Sequence, residues 1–525
     1  MSARRILSRW AVCALVGFAG AVPGSAGAQG DVATHATHLI AGLDLDEARR
    51  VLGPAEADDP RIALERARLG IYEMDCDGAA AILGRADVRA LPGGDALADI
   101  AHGCQRVTAA LQSDRDEARA IEVRWQDEGD RPLAPLLFDT VAKAREALSR
   151  DLGVDWPRPT RVVVVRDLLS LSAMTGLPYD SARTTGTVAV AKWGRVTLLS
   201  PRASPHGYPW RDTVAHELTH LAVTRASRDL APLWLQEGIA KREEIRWRGP
   251  GPFDDRPSSD AIVEAGDAMG KRFPLDKLGP SIAMLPSADD AMVAFAEVTS
   301  FVRYYADTED ARTGQTGAAL PKLLHALSEP GTTADAALVS VSGADLKAWD
   351  ARWRASVAAK PRTLLPPLFL AEPKRDRREL DRLREQRDRS RLAELLLARG
   401  HAGEAARELD RLAPEVGATD PSMRWLRARI LEAAGRRPEG AGLVTDPKQV
   451  ATSYGPWWAT RGRWARADGD EGTAVLSFEA AVAADPMDPE AACETIDDSA
   501  SPADADRAHL CAAARSRGEP AFGGD

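Results

Sequence analysis

Two periods of apolar and polar residues run along this chain, setting a short β-rich stretch between two long helical ones. Residues 30–115 are rich in alanine and leucine at helical spacing, and the pattern breaks at Gly53-Pro54 and at Pro92-Gly93-Gly94. Arg161 to Arg166, RVVVVR, is a continuous β-branched run, the pattern of a strand buried on both faces. Thr185 to Ser200, TGTVAVAKWGRVTLLS, alternates around Lys192-Trp193-Gly194-Arg195 and predicts a β-hairpin. From Trp210 to Val223 the period lengthens. There Val214, Leu218, Leu221 and Ala222 make an apolar stripe on a predicted helix, with Asp212 favourably charged in its first turn. Pro232 opens a second predicted helix, PLWLQEGIA, running to Ala240. Trp349 and Trp353 close the middle region, and the proline-rich stretch 359–373 reads as a linker. Beyond it, Lys374 to Arg391 interleaves its basic residues with Asp376, Glu379, Asp381, Glu385 and Asp388, the pattern of a salt-bridged, solvent-facing helix.

The first middle helix carries His216-Glu217-Leu218-Thr219-His220. Histidines four apart lie one turn from each other on one helix face, so both imidazoles reach a single metal ion. Glu217 is then placed to take a proton from water beside that metal. Glu237, on the following helix, is the natural third ligand, and three protein ligands leave a fourth position for water. H-E-L-T-H followed by P-L-W-L-Q-E-G-I-A resembles the gluzincins, the thermolysin-like zinc peptidases, and within them the peptidase MA-like branch. The resemblance covers residues 118–358. It implies one zinc ion held by His216, His220 and Glu237, Glu217 as general base, and a peptide or protein substrate. It also implies that the hairpin's edge strand holds an extended peptide by β-augmentation. Phe295 to Tyr305, FAEVTSFVRYY, resembles a later helix of the family, with phenylalanine where a tyrosine is usual.

Such centres add a hydrogen-bond donor for the developing oxyanion. Tyr208, Tyr304, Tyr305, His206 and His325 are the candidates, and the sequence does not choose among them. Nor does it choose the group that orients the imidazoles. Lys241 stands four residues after Glu237, where thermolysin-like enzymes often carry an acid, which leaves Glu243, Glu244 or Asp212. No G-x-M-E-N amine-binding motif is present near the metal helix, a point against aminopeptidase action.

The flanks resemble tetratricopeptide repeats. In the C-terminal part, 374–515, Trp458, Gly462, Ala465, Ala474, Phe478, Ala481 and Pro486 fall at that repeat's spacing. Ala393, Leu396, Ala405, Leu409 and Leu412 suggest a second unit. Ser422 to Ala434 supplies one helix whose partner, Gly440 to Val450, is poor. Leu45 to Leu52 and Asp77 to Leu83 loosely match repeat helices in the N-terminal flank. The expected fold class is therefore α+β: a gluzincin-type domain with a small mixed sheet, between two tetratricopeptide-like helical regions.

Residues 1–28 read as a cleaved export signal, with Arg4, Arg5 and Arg9 before an apolar run and Ala26-Gly27-Ala28 at the cut. A periplasmic or secreted protein is expected. Cys76, Cys104, Cys493 and Cys511 remain, an even number for an oxidising compartment. The local pairs Cys76–Cys104 and Cys493–Cys511 are expected, and the alternative pairings would tie the chain's ends together. Lys+Arg 68 against Asp+Glu 78 gives −10, and loss of the leader's three arginines takes this to −13. That balance argues against nucleic acid and anionic membrane surfaces as partners, and the leader's apolar run is too short for stable membrane insertion. The competing expectation is an inactive, zinc-stabilised envelope scaffold whose repeats bind a protein partner.

Overall fold

The computed structural model describes residues 29–494 and Cys511, apart from 56–57, 110, 155, 157–158, 204–207, 249–257, 280, 283–284, 361–388, 398, 413–420, 446–453 and 485–488. The leader, most of the linker and the basic stretch to residue 388 thus lie outside the described residues. Helices come first: α1 (Gln29–Ala41), α2 (Leu45–Leu52), α3 (Pro60–Glu73), α4 (Cys76–Leu83), α5 (Ala86–Arg89) and α6 (Gly94–Thr108). The sheet contains β1 (Gln112–Asp116), β2 (Ile121–Trp125), β3 (Thr160–Val165), β4 (Ala189–Lys192) and β5 (Arg195–Leu199). Helix α7 (Ala134–Leu152) follows β2, while α8 (Leu168–Thr175) and α9 (Tyr179–Thr185) separate β3 from β4. After β5 come α10 (Trp210–Ser227), α11 (Leu233–Glu243), α12 (Ser259–Ala268), α13 (Ala288–Thr313), α14 (Ala319–Leu327), α15 (Ala334–Ser342) and α16 (Leu346–Ala358).

Strand order is β1-β2-β3-β5-β4, with β2, β3 and β5 parallel and the two edge strands antiparallel to their neighbours. The RVVVVR run becomes the central strand because both its faces are covered. Val162, Val164, Val196 and Leu198 point into a core shared with α7 and α10. Val163 and Val165 point the other way, onto Met74, Cys76, Cys104, Val107, Leu171 and Met174 of the N-terminal helices and α8. The expected hairpin is β4–β5. Its turn places Trp193 and Gly194 at φ +55° and +68°, the left-handed pair that matches strand twist. Trp193 tolerates that strain because its indole N–H donates to the Thr175 carbonyl at 3.3 Å and its ring meets Tyr72 edge-on.

Arg195, at the start of β5, is fully buried. Its guanidinium donates to the carbonyls of Ile71 at 2.6 Å, Trp193 at 3.4 Å and Met174 at 3.4 Å. Burial, with the Arg161 charge nearby, pushes its pKa down to about 9. Among the described residues no carboxylate pairs with it.

Both local disulfides are formed, with Cα atoms 5.7 Å apart for Cys76–Cys104 and 4.7 Å for Cys493–Cys511. The first staples α4 to α6. Toward the C terminus, helices Gly455–Ala467 and Glu471–Ala484 pack as a hairpin, with Trp458 and Phe478 buried. A Cβ at Gly462 would stand 2.9 Å from the Phe478 ring, so the small residue sets their close approach. The helix expected from Ser422 is Pro421–Ala433; of its expected partner, Gly440 to Val450, the described part holds the turn Ala441–Val444, and 446–450 lie outside the described residues. The architecture is α+β, a five-stranded sheet with helical regions before and after it. Among the described residues no helix is long and apolar enough to cross a membrane.

Candidate metal centre

Helix α10 buries Val214, Leu218, Leu221 and Ala222 in the core, which turns His216 and His220 toward α11. Helix α11 is seated by Trp234, whose ring meets Phe301 of α13 edge-on at 5.3 Å. Gly238 lets it settle there, since a Cβ at that position would lie 2.6 Å from the Val298 carbonyl oxygen and collide with Val302. That docking presents the Glu237 carboxylate to the two imidazoles.

The three donor atoms form a nearly equilateral triangle. His216 Nε2 lies 3.3 Å from His220 Nε2, and each lies 3.5 Å from Glu237 Oε2. Ligands about 2.0–2.1 Å from one zinc ion at tetrahedral angles stand about 3.3–3.4 Å apart. The triangle therefore fits a tetrahedral cation. Among the described residues it is the group whose ligand atoms all lie within 4.8 Å of one another.

His216 Nδ1 faces Glu244 Oε2 at 3.2 Å, and Lys241 Nζ donates to both oxygens of Glu244 at 2.7 and 2.8 Å. An Nδ1–H donated to Glu244 leaves the Nε2 lone pair aimed into the triangle. Of the three expected orienting acids, Glu244 thus meets the imidazole. Asp212 instead accepts from Trp247 and Arg248, and the buried Glu243 pairs with Arg242 and Arg246. Burial pulls the His216 imidazole down, but Glu237 and Glu244 outweigh it and raise its pKa to about 9. Against the same burial, His220 and His216 hold the Glu237 carboxyl far below its usual range. Glu244, opposed likewise by burial, is drawn down to about 2 by Lys241 and His216. An acid-rich, electron-donating pocket of this kind suits a divalent cation.

Glu217 is buried and accepts a hydrogen bond from the Ala191 backbone N–H of β4 at 2.5 Å. Burial raises its pKa, and the two histidines pull in the opposite direction. Ala191 had no signal in the sequence, because what it contributes is main chain.

The expected oxyanion donors are scattered. Tyr208 donates its hydroxyl to the Leu199 carbonyl. Tyr304 and Tyr305 sit against Trp349, at ring distances of 6.2 and 5.0 Å, and Tyr305 is fully buried. His325 is exposed on α14, and His206 lies outside the described residues. Phe295 does reach the centre, its ring edge-on to His216 at 6.4 Å.

What fold and site define together is an α+β chain with a two-histidine, one-glutamate cluster and a second glutamate beside it. Comparison with protein-family models, with curated proteins and with solved structures gave no match.

Proposed function

We propose that this chain is an exported zinc metallopeptidase of the gluzincin type. The observation that carries the reading is the donor triangle of His216, His220 and Glu237, at the spacing of tetrahedral zinc ligands, with Glu217 one residue from the first ligand. A zinc ion held there supplies Lewis acidity and lowers the pKa of water at its open position to about 7. Glu217 accepts the proton as water attacks the peptide carbonyl, then returns it to the departing amine. Glu244 fixes the His216 ring, and Lys241 fixes Glu244. The antiparallel edge strand β4 offers its backbone to an extended substrate. Export is supported by the leader pattern and by the two formed disulfides.

Two observations favour a second reading, a zinc-stabilised scaffold whose helical flanks bind a protein. Phe295 faces His216 where a hydroxyl is expected, and Tyr208 spends its own on Leu199. Metal analysis beside cleavage of an end-blocked peptide library separates the two. Wild type should carry one zinc per chain and cut the library in a chelator-sensitive way. Glu217→Gln should keep the zinc and lose cleavage by at least about a hundredfold. A zinc-loaded wild type that leaves every peptide intact would establish the scaffold instead.

A further inference from the structure

In an antiparallel pair, residues alternate between those bonded to the partner strand and those whose N–H and C=O point away. The Leu199 N–H donates to the Val188 carbonyl at 2.7 Å, so Val188 and Leu199 are a bonded pair. The register Val190↔Thr197 and Lys192↔Arg195 continues that set. Ala189 and Ala191 therefore direct their backbone groups away from β5, to the open side of the sheet. That open side is where a peptide would add as a further strand, and its Ala191 N–H already has an acceptor. The acceptor is Glu217.

We propose that Glu217 and the substrate backbone compete for the Ala191 N–H. In the resting protein this N–H is the positioning donor for the Glu217 carboxylate. An extended peptide pairing with β4 must offer its own carbonyl to the same hydrogen and displace Glu217, which is thereby released toward the reacting water. Strand addition and arming of the base become one event. A peptide that binds without pairing at Ala191 leaves the base parked and is not cut. The inference rests on the peptidase reading and on a substrate that lies along β4.

The test uses variants that cannot turn over. A dye-labelled, end-blocked peptide, of the sequence that wild type cuts fastest in the library, is titrated onto zinc-loaded Glu217→Gln and Glu217→Ala. The glutamine keeps an oxygen for Ala191, whereas the alanine frees the N–H. The alanine variant should bind the peptide about fivefold tighter, the worth of one ordinary hydrogen bond no longer opposed. Adding Ala191→Pro to both should erase the difference, because proline removes an N–H that β5 does not use. Should proline disturb the hairpin, hydrogen exchange of the 188–193 segment gives an independent reading. It should be faster in Glu217→Ala than in Glu217→Gln and slow again once peptide is added. Equal affinities and equal exchange in the two variants overturn the competition. A wild type that cuts none of the library overturns the peptidase reading itself.

Discussion

At the scale of single residues, the centre depends on how firmly His216 is turned. Its Nδ1 meets Glu244, which Lys241 grips through both oxygens. Such partners beside a metal ligand typically contribute 10- to 100-fold in metal affinity. Glu244→Gln should therefore weaken zinc binding by about tenfold in competition with a chromogenic chelator, with little change in thermal stability of the metal-free protein. An unchanged zinc affinity would remove Glu244 from the site. The donors His216, His220 and Glu237 were readable from the sequence, because a helix converts spacing into direction, so the two histidines declare one turn, and Glu237 follows on the next predicted helix. Glu244 was readable only as one of three acids. Which carboxylate reaches an imidazole depends on how α11 ends, and helix termini are set by tertiary packing. Ala191 was not readable, since its contribution is an amide that every residue but proline possesses.

Among elements, the contact between α11 and α13 decides where Glu237 stands. Gly238 is required by distance rather than by backbone conformation, as a methyl group there meets the Val298 carbonyl and Val302. Gly238→Ala should push α11 off α13, destabilise the fold by about 1–3 kcal/mol and loosen zinc binding together with it. Paired chemical denaturation and zinc competition measure this, and a stable variant with wild-type zinc affinity would show that the helices tolerate the methyl. The hairpin and both site helices were legible from the alternation around the Trp193-Gly194 turn, the apolar stripe of Val214, Leu218, Leu221 and Ala222, and Pro232 at the start of the second helix. The pairing of β3 with β2 and β5 was not. A run apolar on every position carries no face preference, and its neighbours were fixed by helices distant in sequence.

For the whole molecule, pH acts through buried acids outside the donor triangle, Asp130 among them. Asp130 is 1% exposed, accepts from the Ser200 hydroxyl at 2.6 Å and leaves its other oxygen without a partner. Burial raises its pKa from 3.8 to about 6, although Ser200 and Arg202 pull the other way. A raised carboxyl holds its proton in the folded state after the unfolded chain has released it. Its contribution is complete below about pH 4 and is lost as pH climbs through 6. Asp130→Asn should thus match wild type near pH 4 and exceed it at pH 8 by up to about 3 kcal/mol. Urea titrations of both proteins at the two pH values test the sign, and a gap that widens toward acid would contradict it.

One guanidinium carries a consequence for how this chain can be shortened. Arg195 belongs to the hairpin, yet a carbonyl that holds it, that of Ile71, comes from the opening helices. Deleting everything before Gln112 strips that acceptor and bares the face of Val163 and Val165 that the opening helices help to cover. Such a trimmed protein should collect in inclusion bodies, and Arg195→Met, which adds apolar surface to the bared face, should not return it to the soluble fraction. The opening helices are a lid on a charge and on one face of the sheet, and the strands beneath should lose their solubility once it is removed.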